Sequence, residues 1–71
     1  MSFQSWIKLT TDEFHRVFPP VFRTAREAAQ YSEHKADIWP TCEAFGIQEV
    51  ELQATCEWRN GKLHPVNIRR Y

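Results

Sequence analysis

Ile47-Gln-Glu-Val-Glu-Leu-Gln-Ala-Thr-Cys-Glu-Trp-Arg-Asn-Gly-Lys-Leu63 is an alternating apolar and polar run that stops at an Asn-Gly pair. From Val50 it assigns Val50, Leu52, Ala54, Cys56 and Trp58 to one face and Glu51, Gln53, Thr55 and Glu57 to the other, the period of two of a half-buried strand. Asn60-Gly61 suits a type I′ turn, which needs positive φ at both central residues; Asn tolerates this and Gly adopts it freely. The stretch therefore predicts a β-hairpin with Lys62 to Arg69 as the returning strand. Direct register pairs Trp58 with Leu63, Glu57 with His64, Thr55 with Val66 and Gln53 with Ile68. Leu63 then shares the Trp58 face while Val66 and Ile68 fall on the other, so a bulge near His64-Pro65 is expected to bring the later apolar residues inward. Pro65 cannot donate to a ladder, which points to an edge position.

Upstream of the hairpin, Thr24-Ala-Arg-Glu27 is a capping box that opens a helix running to about Ile38, before Pro40 stops it. Ala25, Ala28, Ala29, Ser32, Ala36 and Trp39 form its apolar stripe, with Tyr31 and Ile38 flanking, and Arg26, Gln30, Glu33, His34 and Asp37 lie opposite. Small residues along that stripe let the helix approach a sheet closely. Thr41 to Gly46 reads as a connector, with Gly46 supplying freedom to turn. Phe3 to Leu9 reads as a strand with Phe3, Ile7 and Leu9 on one side and Gln4, Trp6 and Lys8 on the other; Ser5 weakens the alternation. A second capping box, Thr10-Thr-Asp-Glu13, followed by Phe14, Val17 and Phe18, predicts a short helix that Pro19-Pro20 ends. The expected fold class is α+β: one domain over residues 1–71, a small antiparallel sheet with a C-terminal β-hairpin, one long helix on one face, and a short N-terminal helix.

A chain of 71 residues buries only about 60% of the surface its unfolded form exposes, so a sizeable internal ligand pocket is not expected. Nine basic residues balance nine acidic ones, which removes the long-range field that gathers nucleic acid or anionic lipid. The N-terminal stretch Met1 to Lys8 lacks a charged leader followed by an apolar core, and no segment approaches a membrane span, so a cytoplasmic location is expected. There Cys42 and Cys56 stay reduced, Cys56 acting as a small inward-facing hydrophobe.

His15, His34, His64, Cys42 and Cys56 lack the paired spacing of a structural zinc site, so no metal and no organic cofactor is expected. No nucleophile elbow or glycine-rich loop marks a catalytic group, and Glu49, Glu51 and Glu57 lie on or near the outer strand face, so the chain is not expected to be an enzyme. Three tryptophans and five phenylalanines exceed what so small a domain easily buries, and exposed Trp, Tyr and Arg dominate binding hot spots. The candidate contact patch is Trp58, Arg59, Lys62, Arg69, Arg70 and Tyr71, with Trp6 a neighbour across the sheet. The same basic hairpin is also the footprint expected of a small nucleic-acid-binding module, with Trp58 as a stacking surface.

Val21-Phe22-Arg23-Thr24 leading to Glu27-Ala28, then an alternating strand closing on Glu57-Trp58-Arg59-Asn60-Gly61-Lys62-Leu63, resembles short orphan proteins of phages and bacteria. The resemblance spans residues 21 to 63 and implies a helix docked on a small antiparallel sheet. Some phage-encoded examples of this build are anti-CRISPR proteins, inhibitors that bind a host defence complex and block it. The resemblance carries no site residue across. The near-neutral charge departs from the strongly acidic inhibitors that mimic DNA. Together these readings predict a small protein-binding module, with a larger protein complex as its partner. The sheet edge, guarded by Pro65 and charges alone, leaves self-association as a C2 homodimer open.

Overall fold

The computed structural model describes residues 1–66. The elements follow the order β1 (Ser2–Leu9), β2 (Arg16–Phe22), α1 (Ala25–Ile38), β3 (Cys42–Val50), β4 (Cys56–Arg59) and β5 (Lys62–Pro65). The strands form one mixed sheet in the order β3-β1-β2-β4-β5. Every neighbouring pair is antiparallel except β2 and β4, which run parallel at Phe22↔Cys56. α1 packs on one face of this sheet, so the domain is a small α+β fold.

The cap expected at Thr24 forms, with the Glu27 carboxylate on the Thr24 hydroxyl rather than on its amide. Thr24 is extended (φ −122°, ψ 150°), its hydroxyl oxygen accepts from the Glu27 amide, and its O–H donates to Glu27 Oε1 at 2.9 Å. The helix ends at Ile38, and Trp39 leaves it in an extended conformation ahead of Pro40. The buried helix residues are Ala28, Tyr31 and Ser32. Tyr31, expected at the flank of the stripe, is the centre of the core: its ring lies 5.7 Å from Phe18, 5.3 Å from Phe22 and 5.3 Å from Trp58. In β1 the residue that breaks the alternation, Ser5, is fully buried and donates to the Ala28 carbonyl at 2.6 Å, so a polar group sits under the helix with its hydrogen bond made.

Five sequence expectations are corrected. The short N-terminal helix does not form. Thr10 to Phe18 is instead the turn after β1 and the first half of β2, because the residues of the supposed cap are engaged otherwise. The Asp12 amide donates to the Leu9 carbonyl, the Asp12 carboxylate holds Arg16 at 2.6 and 3.1 Å, and the Thr10 amide donates to Thr41. Two isolated turns before Pro19-Pro20 would gain little, whereas strand pairing buries Val21 and Phe22. β2 absorbs its prolines with a register slip. Phe3 and Gln4 face Phe22 and Val21, Trp6 and Ile7 face Val17 and Arg16, and the Gln4 amide donates to the freed Phe18 and Pro19 carbonyls at 3.2 and 3.3 Å.

Second, Gly46 is no turn. It lies in the middle of β3 opposite Trp6, in a strand covering most of the stretch expected to be a connector. Third, the long strand entering the hairpin is split into β3 and β4. Residues 51–55 must carry the chain across three strand spacings, about 14 Å, from one side of β1 to the far side of β2, which prevents a ladder there. Fourth, the hairpin itself is short and regular, Cys56↔Pro65 through Arg59↔Lys62, with no bulge at His64-Pro65. Fifth, the expected antiparallel sheet becomes mixed because β2 and the entering β4 point the same way.

Candidate functional site

The hairpin turns where Asn60 and Gly61 take φ of 56° and 71°, the left-handed pair a type I′ turn needs. Glu27 fixes it to the helix: its Oε2 accepts from the Trp58 backbone amide at 2.9 Å while Oε1 accepts from Thr24. One carboxylate thus completes the helix cap and docks β4. Thr55 adds a second tie, exchanging hydrogen bonds with Val21 at 2.9 and 3.1 Å.

Arg59 and Lys62 face one another across this turn. Both are exposed, and Arg59 has a loose 3.5 Å ion pair with Glu57 in which its side chain remains 63% exposed. Cross-strand partners share a face, and Cys56 and Trp58 pack toward the core, so Arg59 and Lys62 project from the opposite face of the sheet. The turn lies three residues, roughly 10 Å, beyond the level of Phe3, Phe22 and Cys56, so it overhangs the sheet.

Trp58 does not share their surface. It is half-buried on the helix side, packed edge-on against Tyr31 and tilted against His34 at 5.2 Å. Trp6 is on the uncovered face but at the other end. It lies three residues up the strand from Phe3 while Arg59 lies three residues down, a separation of about 20 Å along the strands. There the Trp6 ring covers Gly46 and stacks on His15 with centroids 4.0 Å apart. Of the candidate patch the fold therefore brings together Arg59 and Lys62 and leaves Trp58 and Trp6 apart from them. Arg69, Arg70 and Tyr71 lie outside the described residues.

Titration of the described groups is disturbed in two places. Hydrogen bonding to Arg16 holds the Asp12 carboxyl below its ordinary value and raises Arg16 in turn. Burial, with the Cys56 thiol nearby, pushes the Tyr31 phenol up. One is a surface ion pair and the other a core phenol, and both are accounted for by structure alone. Among the described residues no three His, Cys, Asp or Glu side chains converge on a metal position. Cys42 and Cys56 are free and sit on strands three positions apart in the sheet, about 14 Å and beyond disulfide reach. No helix among these residues is long and apolar enough to cross a membrane.

Two features of this surface were missed from the sequence. One is the second role of Glu27, which its position in the capping box foretells only in part. The other is the free outer side of β3, visible in hindsight as the alternation of Phe45 and Ile47 around Gly46. Compared with known proteins, the chain matches no family model, no curated protein and no solved structure.

Proposed function

We propose that the chain is a small non-catalytic protein-binding module, an anti-CRISPR-like inhibitor of phage origin that acts in the cytoplasm by covering the surface of a larger host complex. The observation that carries this reading is the overhanging hairpin tip, where Arg59 and Lys62 stand exposed on a turn whose leading strand is tied to the helix by Glu27 and to β2 by Thr55. A preorganised, solvent-exposed arginine is the kind of group that anchors an interface with little ordering cost on binding. Arg69, Arg70 and Tyr71 extend the same basic sequence. Nucleic-acid binding is the weaker reading, because Trp58 is turned into the core and cannot offer its ring beside Arg59 for base stacking.

The test is an Arg59→Ala, Lys62→Ala double variant. Both side chains are exposed, so its stability should stay within about 0.5 kcal/mol of the parent. Affinity for a partner captured from nuclease-treated bacterial lysate should fall by about 2 kcal/mol, roughly 30-fold, and binding by the parent should weaken little as salt rises. Unchanged affinity in the folded double variant would remove the hairpin from the interface.

A further inference from the structure

We propose that the outer edge of β3 is a docking site for an extended segment of a partner protein, apolar in its middle and carrying Lys or Arg toward its ends, which joins the sheet as a sixth strand. The inference rests on the reading of the chain as a protein-binding module but uses a surface at the opposite edge from the hairpin.

The two edges of the sheet are unlike. β5 is four residues long and contains Lys62 and Pro65, the features by which natural sheets blunt an edge. β3 is nine residues long, holds neither proline nor lysine, and pairs its inner side with β1 from Ser2↔Val50 to Leu9↔Cys42. Among the described residues no strand pairs with its outer side. From Val50 to Ala44 its backbone is thus already held by a regular ladder, the register shifting only between Ala44 and Cys42, and that state lets an incoming strand gain hydrogen bonds without first ordering the template.

The side chains along this edge define what fits. Phe45 stands opposite Ile7 and Ile47 opposite Ser5, so both lie on the helix side, where Phe45 remains 43% exposed and Ile47 is half-buried. At the Cys42 end, an open recess of ≈ 320 Å³ lined by Ala36, Cys42, Glu43, Ala44 and Phe45 has room for one apolar side chain. On the other face Gly46 offers no side chain and the Trp6 ring makes a flat surface beside it. A strand laid along β3 would therefore set alternate apolar side chains against Phe45, Ile47 and the recess.

Charge selects the ends of that strand and argues against a second copy as the occupant. Residues 40–58 contain Glu43, Glu49, Glu51 and Glu57 and no Lys, Arg or His. Lys8 neutralises Glu43 at 2.6 Å, while Glu49 and Glu51 are exposed and enter none of the ion pairs among the described residues. Two-fold pairing of β3 with itself about Gly46 would bring no basic residue of the other copy's β3 to the unpaired Glu49, since β3 contains none. Basic residues near the ends of a partner strand would meet the same carboxylates favourably.

The experiment uses the intact chain and an acetylated, amidated peptide, Lys-Thr-Val-Thr-Val-Thr-Lys, whose lysines and valines share one face as Glu49, Ile47 and Phe45 do, in three forms: unmodified, N-methylated at the valines, and N-methylated at the threonines. Only one alternate set of amides can face the edge. One methylated form should bind at least about tenfold more weakly than the unmodified peptide and the other within about twofold of it. Hydrogen exchange should slow at Ala44 to Gln48, and a Glu49→Lys variant with an unchanged melt should bind the peptide several-fold more weakly at low salt. Equal binding by both methylated forms, no binding at millimolar peptide, or protection at unrelated amides would overturn the proposal. So would a dimer at micromolar concentration whose β3 amides are already protected without peptide, which would make a second copy the occupant. The Arg59→Ala, Lys62→Ala variant should bind the peptide like the parent, so failure at this edge and failure at the hairpin are read separately.

Discussion

Replacing Glu27 with alanine removes the one carboxylate that both completes the helix cap and accepts from the Trp58 amide. A hydrogen bond to a charged group contributes about 1.5 to 3 kcal/mol, and losing it leaves a half-buried backbone donor without its partner. A carboxylate in the first helical turn contributes a further 0.3 to 1 kcal/mol or so through the helix dipole. Alanine returns roughly 0.4 kcal/mol through its higher helix propensity. Thr24 still accepts from the residue 27 amide, so the other half of the cap survives. Water can reach a half-buried Trp58 amide once the carboxylate is gone, which moves the balance to about 2 kcal/mol of lost stability. For a domain of this size that corresponds to a fall in melting temperature of roughly 8 to 16 °C. Urea denaturation followed by tryptophan fluorescence measures it, with Glu33→Ala, an exposed glutamate of the same helix, as the control expected to change little. Glu27→Gln should fall between the two, since its amide oxygen can still accept. Faster exchange at the Trp58 amide in Glu27→Ala should accompany the loss. A change below about 0.5 kcal/mol with unaltered exchange at Trp58 would refute the dual role assigned to Glu27.

Two further predictions concern the core and the uncovered face. A Cβ at residue 46 would lie 2.6 Å from Trp6 Cζ2 and 2.9 Å from Cε2, in a ring already stacked on His15, so Gly46→Ala should destabilise by about 1 to 3 kcal/mol. In a Trp6→Ala background the same change should be neutral or stabilising, and equal effects in both backgrounds would show that the ring does not lie over Gly46. Burial holds the Tyr31 phenol above its ordinary value of 10.0, so the folded state prefers the neutral form. Its contribution is complete below that ordinary value and is lost as pH rises through the folded one. Tyr31→Phe, which keeps the ring, should flatten the loss of stability above about pH 10 measured by circular dichroism, and an unchanged alkaline slope would contradict the assignment.

The long helix and the turn were legible because each is written locally. The Thr24 hydroxyl accepts from the Glu27 amide and donates to the Glu27 carboxylate, and Asn60-Gly61 can take a backbone form that few other pairs tolerate. The short helix failed because a capping box is also a local signal but a weaker competitor. Asp12 found Arg16, and Phe18 and Phe22 found Tyr31, partners that only the folded chain supplies. Gly46 misled for the opposite reason. Glycine suggests a turn, whereas here it makes room for an indole 40 residues away in sequence and directly opposite on the neighbouring strand. The alternation across residues 51–55 is real in sequence and unused in structure, since the crossing to β4 consumes those residues.

The candidate patch divides along the same line between local and nonlocal information. Proximity in sequence grouped Trp58 with Arg59, yet adjacent residues of a strand face opposite sides, and the side that Trp58 takes is fixed by Tyr31 and His34. This has a consequence for testing function in so small a domain. The largest fully buried side chains among the described residues are Phe22, Ile7, Ser5 and Ser32, so the interior is small and Trp58 supplies part of its wall. Truncating Trp58 would open that wall and lower stability whatever its part in binding. Arg59 and Lys62 at one end of the sheet and Glu49 at the opposite edge carry no such burden. Because their charges are opposite, basic and acidic partners discriminate between the two surfaces without disturbing the core they share.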